Sequence, residues 1–475
     1  MSAQITRLFG VVVVLFALLI VWTTRWTVID AAKLDNNSLN RLTLVAQLRI
    51  KRGRILADDG TVLARSVPAG GSTWRRVYPA GPLFAQAIGY ANALEGQLAG
   101  LEQSDGDYLR GLQTGLDSIF GQLTPTRVGD DVYTSLDPKA QRAAVQALGG
   151  QAGSVVALNP RNGAVLVMYS NPSYNDNAPT APCSPPSCSQ ENRATQANYA
   201  PGSTFKIVTA TAGIDSGAYT PNSVINGNSP ILVSGVPLHN DGNQSWGPQT
   251  LTTAMTYSIN TIFAQVAERV GRATMTKYMQ RFGFYSKPPL DYPPNEIRAS
   301  DILAPGGNPL APGSPNEDIG RVGIGQGGVT VTPLQMAMVA AAVANGGKLM
   351  VPHMTTRVVN ADGVTVKTIS PVLYSQVMSP ATALQVTEMM TKVVEEGTGT
   401  AVQLSGISVA GKTGTASIGP TGSNLTQPSF AAFAPANNPQ VAIDVTVDQS
   451  QGGFGGTVAA PIAKAVLQTL LAEGK

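Results

Sequence analysis

Cysteine and histidine are scarce: two of each occur in 475 residues. A structural zinc site needs four closely grouped sulfur or nitrogen ligands, which this chain does not offer, so no metal is expected. A Ser-His-Asp triad would have only His239 and His353 to draw on. Charge is also sparse. Charged residues make up 13% of the chain, and 32 basic against 29 acidic side chains leave a net +3. That balance, with no basic cluster interleaved with aromatics, argues against a nucleic-acid partner. Internal repeats are absent. One glycine pattern, Gly323–Gly328, satisfies GxGxxG, but no acidic residue lies near position 348, where a ribose partner would be required. No dinucleotide or other cofactor is expected. Gly406–Ala410 reads GISVA and misses the nucleophile-elbow pattern because its last residue is alanine.

What is present is an apolar, globular chain, 43% hydrophobic and long enough for two to three domains. Leu8–Trp22 carries no charge and is bracketed by Arg7 and Arg25. As a helix reaching Thr24 it would be roughly 25 Å long, enough to span a thin bilayer with Trp22 and Trp26 at one interface. No small-x-small cleavage site directly follows it, so an uncleaved anchor is preferred over a signal peptide. Either reading places the remainder outside the cytoplasm. In an oxidising compartment, Cys183 and Cys188, in the Pro/Ser-rich loop APCSPPSCSQ, are expected to pair; two reduced thiols are the alternative.

Three segments follow: 1–24, tail and anchor; 25–148, a small mixed α/β domain; and 149–475, a catalytic domain. In the second, Asp59-Gly60 reads as a hairpin turn. The stretch GDDVYTSLD before a helix-like KAQRAAVQAL marks the boundary. In the third, Ser154–Ser170 reads as an antiparallel hairpin, and a helix begins at Pro333 and stops before Gly346-Gly347. PSFAAFAP and QVAIDVTVDQ read as strands, and PIAKAVLQTLLAEG as a closing helix. Met336 and Met338 read as core, not as a cofactor box. Hairpins at both ends with helices between them indicate an α+β domain around an antiparallel sheet.

The chemistry starts at YAPGSTFKIVTA. Pro201-Gly202 puts Ser203 at a helix start, where free N–H groups favour developing negative charge, and Lys206 follows one turn later. A lysine can take a serine's proton only if held neutral, and the positive helix end and a second nearby cation would both push it that way. An isolated SxxK is ordinarily just a helix cap and a surface lysine. Here two further stretches change that reading. Ser258-Ile259-Asn260 supplies a hydroxyl for proton relay and an amide for a peptide carbonyl. Lys412-Thr413-Gly414, followed by Thr415, supplies the second cation on what reads as an edge strand, with Gly411 and Gly414 expected to admit a substrate backbone. Alone, SxN and KTG are weak; SxxK, SxN and KTG in this order are a strong signal.

In these motifs the chain resembles the penicillin-recognising serine acyl transferases, and more narrowly the class B, monofunctional penicillin-binding proteins. RGRILADDGTVLA resembles the element these proteins carry after their anchor, with Asp59 where asparagine is common. NRATQANYAPGSTFK, GIGQGGVTVTPLQMA and EEGTGTA are similar to other family segments. The short insert before the catalytic part is most like the compact actinobacterial penicillin-binding protein A type.

The resemblance implies a five-stranded antiparallel sheet flanked by helices with an all-helical subdomain. It implies peptidoglycan D,D-transpeptidation: Ser203 as acylated nucleophile, Lys206 as its base, Ser258 as proton relay and Asn260 as a holder of the substrate amide. Lys412 would be electrostatic, the hydroxyls of Thr413 and Thr415 would hold the substrate carboxylate, and the N–H groups of Ser203 and Thr415 would form an oxyanion hole. Stem peptides and β-lactams are the implied ligands. A glycan polymerase and division or elongation proteins are the implied partners, with the catalytic domain anchored on the outer side of the cell membrane. The alternatives are a β-lactamase, for which an anchor and extra N-terminal domain are unexpected, and a D,D-carboxypeptidase, which usually carries its extra segment after the catalytic part. Two more are non-catalytic: a β-lactam sensor, which would be expected to have a signalling module across the membrane, and a scaffold, which would have less reason to keep both lysines.

Overall fold

Strands that are apolar along their whole length need cover on both faces, and the catalytic sheet has it. The computed structural model describes residues 3–26, 47–112, 128–420 and 423–474. Five antiparallel strands run in the order Ala410–Ser417, Leu425–Ala434, Val441–Val447, Gly153–Leu158 and Val165–Asn171, with Ser450–Gln451 pairing alongside the second. On one face the closing helix Ala459–Ala472 and the helix Pro138–Leu148 pack Ala144, Leu148, Val466 and Leu470 against Val155, Phe430 and Ile443. On the other lies Pro333–Ala344, buried nearly all round and therefore apolar all round. Met336 and Met338 are both core residues there. Pro138–Leu148 and Pro333–Ala344 start as their sequence dictates, with proline at the first position and a capping side chain before it. Asp137 accepts from Lys139 N and Ala140 N, and Thr332 accepts from Gln335 N.

Beyond the edge strand Ala410–Ser417 lie the helices Lys206–Asp215, Leu251–Thr256, Asn260–Val270, Arg272–Arg281 and Pro380–Glu395. This part is not purely helical: two-stranded ribbons pair Val224–Asn226 with Pro248–Thr250 and Ile231–Val233 with Val236–Leu238.

The N-terminal module differs from the continuous segment expected for it. Its sheet runs Thr365–Thr368, Thr355–Val359, Asp131–Thr134, Ile55–Leu56, Val62–Pro68, Trp74–Val77. Two of its six strands therefore come from beyond SxxK and SxN in sequence, ahead of Lys412-Thr413-Gly414. Two side chains hold the inserted hairpin: the half-buried Asp291 carboxyl accepts from Met354 N and Thr355 N, both at 2.7 Å, and Asp105 Oδ2 accepts from Thr355 Oγ1 at 2.6 Å. Conversely, helix Pro138–Leu148, placed before the boundary at 148, belongs to the catalytic core by its packing. Asp59-Gly60 does make the turn between Ile55–Leu56 and Val62–Pro68, with Gly60 in the left-handed region and Thr61 N donating to Asp59 Oδ1.

The module is fastened to the catalytic sheet by the loop that follows Val165–Asn171. Asn177 imitates a strand neighbour, accepting from Tyr78 N and donating to Tyr78 O, each at 2.9 Å. Gln86 donates to Ser189 O and Pro172 O. Cys183 and Cys188 are bonded within this loop.

Arg52, from the RGRI stretch, and Arg76 both close on Glu102, which is wholly buried. Burial works against the carboxylate charge, but Arg76 and Arg52 outweigh it and hold Glu102 below the usual carboxylate range. Removing one partner of such a cluster strands the others. Glu102→Ala is expected to lower unfolding free energy by about 3 kcal/mol or more, read from urea denaturation, whereas Glu95→Ala, on the exposed rim, leaves it unchanged.

Candidate active site

Ser203 sits in a 3-10 turn, Gly202–Phe205, that runs directly into helix Lys206–Asp215. The turn lies against the edge strand. Gly202 has φ +52°, and a Cβ there would stand 2.8 Å from Thr415 O. The strand answers with Gly414, where a Cβ would meet Ser429 Oγ at 2.2 Å and Pro201 O at 2.6 Å. Gly414 is thus needed for the nucleophile turn to dock, and Gly411 faces Phe430, so neither glycine is there to admit substrate. The GxGxxG stretch has a similar structural use, with Gly325 O accepting from Gly202 N at 3.1 Å.

Lys206, fully buried at the first turn of its helix, has its Nζ 2.7 Å from Ser258 O, 3.2 Å from Ser258 Oγ and 2.7 Å from Asn260 Oδ1. Lys412, equally buried, reaches the same Ser258 Oγ at 3.0 Å, with Thr413 O at 3.1 Å and Thr413 Oγ1 at 3.3 Å. One hydroxyl therefore lies between two lysines. It is held there by backbone strain: Ser258 has φ +60° between helices Leu251–Thr256 and Asn260–Val270. That conformation costs a non-glycine residue about 1–3 kcal/mol and persists only where the surroundings impose it. Asn260 is steadied by Nδ2 donating to His239 O at 3.2 Å.

The electrostatics follow from burial. Desolvation first, and the neighbouring Lys412 second, push Lys206 well below the ordinary lysine range. Burial alone brings Lys412 down to about 7. Thr415 Oγ1 accepts from Gly455 N at 3.1 Å, which ties the edge strand to the loop bearing the exposed Phe454. Tyr257 is stacked on Trp246, ring centroids 5.1 Å apart, and stays partly exposed beside Ser258. Ser203, Lys206, Ser258, Asn260, Lys412, Thr413 and Thr415 thus converge, although Ser203 Oγ makes no hydrogen bond to Lys206 Nζ here. Catalytic hydrogen bonds often tighten only when substrate is bound.

A family model described as the penicillin-binding protein transpeptidase domain matches residues 153–468. The chain belongs to the penicillin-binding protein transpeptidase family. A second model, the penicillin-binding protein A dimerisation domain, matches residues 52–126. Among curated relatives, the chain is 32% identical to peptidoglycan D,D-transpeptidase PbpA of Mycolicibacterium smegmatis, over 100% of both chains. It is also 32% identical to stage V sporulation protein D of Bacillus subtilis, over 84% of this chain and 64% of that one. Among solved structures, a ceftriaxone acyl-enzyme of penicillin-binding protein A from Mycobacterium tuberculosis is similar with a TM-score of 0.79 and 30% identity. The match covers 90% of this chain and 100% of that one.

The sequence motifs did not point to two neighbours of the penicillin-binding site. Thr398, in EEGTGTA, lies 2.7 Å from Thr413 by their hydroxyls. The Trp246–Tyr257 stack joins residues eleven apart in sequence with no periodic signal between them.

Lys412 gives a signed expectation for stability. The unfolded chain keeps this lysine protonated up to its ordinary 10.5, whereas the folded protein releases the proton near 7. Across that window the unfolded state binds more protons, so this group's contribution makes stability rise with pH from about 7 to 10.5. Urea denaturation of Lys412→Met should show a flatter rise over that range and a higher midpoint than wild type at neutral pH.

Proposed function

We propose that this protein is a peptidoglycan D,D-transpeptidase that cross-links stem peptides through an acyl-enzyme at Ser203 and is inhibited by β-lactams. The observation that carries the reading is the pair of buried lysines sharing Ser258 Oγ. Burial and the neighbouring Lys412 both favour the neutral amine of Lys206, which is what an SxxK nucleophile requires.

Ser203 Oγ attacks the carbonyl of the penultimate D-Ala as its proton passes to Lys206 Nζ. The tetrahedral oxyanion is received by the N–H groups of Ser203 and Thr415, from segments that touch at Gly202. Each such donor is worth about 3–4 kcal/mol of barrier. Collapse breaks the C–N bond to the terminal D-Ala, and Ser258 Oγ delivers the proton to the leaving amine from the lysine side. Asn260 holds the substrate amide, and Thr413 and Thr415 hold its terminal carboxylate while Lys412 supplies positive potential. An amine of a second stem then attacks the acyl-enzyme carbonyl, gives up its proton by the same route and releases Ser203.

The helix Ala3–Thr24, 22 residues and apolar, is long enough to cross a bilayer and is read as a single-pass anchor with the catalytic domain outside. An anchored cross-linking enzyme needs nascent glycan, so a membrane-embedded glycan polymerase is the proposed partner, within division or growth of the wall. Pulldown from crosslinked membranes should recover it; repeated recovery of none counts against the partner.

Intact-mass spectrometry after benzylpenicillin tests the chemistry. Wild type should gain the drug's full mass and keep it for hours, and folded Ser203→Ala should gain nothing. Rapid loss of the adduct with drug hydrolysis would instead identify a β-lactamase. Its absence from folded wild type would leave a scaffold.

A further inference from the structure

The turn after helix Pro380–Glu395 brings Gly397-Thr398-Gly399 against the active-site strand. It is fixed there from two sides. Thr398 N donates to Thr256 O at 3.3 Å, and Gly456 passes so close that a Cβ on it would stand 2.2 Å from Thr398 O. Thr398 is an exposed residue, and its hydroxyl lies 2.7 Å from the Oγ1 of buried Thr413, its hydrogen-bond partner among the described residues.

Thr413 Oγ1 has a second neighbour, Lys412 Nζ at 3.3 Å. A threonine hydroxyl has one proton to give and two lone pairs to receive with. Lys412 is a donor and fills one lone pair. Were Thr398 to take the Thr413 proton, Thr413 would have only acceptor capacity left to offer a ligand. When Thr398 donates instead, both lone pairs are filled and the Thr413 proton is left for the cleft. A carboxylate there selects the second arrangement, because it accepts a charge-assisted hydrogen bond and repels a lone pair.

We propose that Thr398 is a positioning residue: by donating to Thr413 Oγ1 it aims the Thr413 proton at the terminal carboxylate of the acyl donor, and so sets the preference for carboxylate-ended donors. The inference rests on the assignment of Thr413 to that carboxylate. Thr398 itself need not touch the reacting atoms.

The test compares acylation of the full-length protein in detergent by benzylpenicillin and by its methyl ester, which lacks the charge. Wild type, Thr398→Val, Thr398→Ser and Thr413→Val are measured, with thermal unfolding of each. Thr398→Val should lower the acid-to-ester rate ratio about ten-fold, the size expected for one hydrogen bond to a charged group. The loss should appear as a raised saturation constant for the acid, and Thr398→Ser should restore the ratio. An equal fall for acid and ester, with the ratio unmoved, would mean that Thr398 only braces the strand and would overturn the inference. So would an unmoved ratio in Thr398→Val when Thr413→Val loses its preference. An unmoved ratio in Thr413→Val itself would remove the carboxylate assignment, and the inference with it.

Discussion

Two buried ammonium groups around one half-buried hydroxyl disfavour each other's charge, and the active site is built on that conflict. Lys206 and Lys412, both fully buried, lie 3.2 and 3.0 Å from Ser258 Oγ. Like charge and desolvation act in the same direction, favouring at least one neutral amine. Everything around the pair keeps it from relaxing. Lys206 enters on the nucleophile's own helix, Lys412 on the edge strand, and Ser258 in a backbone conformation its residue type resists. The glycines at 202 and 414 let helix start and strand meet without a side chain between them. Stability is sacrificed at this point for a lysine whose neutral form is favoured.

The opposite electrostatic solution is used where the protein needs strength instead of reactivity. Glu102 is as buried as either lysine, yet its charge is kept, because two guanidinium groups close on it. The contrast shows how partner choice, more than burial, decides whether an interior charge is retained or surrendered.

Much of this was legible in the sequence. Ser203, Lys206, Ser258, Asn260 and Lys412 could be picked out because motif order carries chemistry that composition does not. The catalytic strands could be read because burial on both faces leaves a continuous apolar run. What could not be read was long-range placement. The strands Thr355–Val359 and Thr365–Thr368 look locally like any hairpin, and nothing in them names the sheet they join. Pro138–Leu148 is a well-capped amphipathic helix whose partner, Ala459–Ala472, lies at the other end of the chain. Gly414 was read as room for substrate because a sequence lists a missing side chain without saying which neighbour occupies the space. Thr398 was passed over for the same reason: its meaning is a 2.7 Å contact with a residue fifteen positions away.

The inserted hairpin also imposes an order in time. A ribosome delivers Ile55–Leu56, Val62–Pro68 and Asp131–Thr134 early, but the strand that pairs with Asp131–Thr134 arrives only after SxxK and SxN have both emerged. The module nearest the N-terminus therefore has to wait, with one sheet edge open, until residue 359 has been synthesised. A part of the protein made early is thus finished late, although still before Ala410–Ser417, Leu425–Ala434 and Val441–Val447 arrive to complete the catalytic sheet.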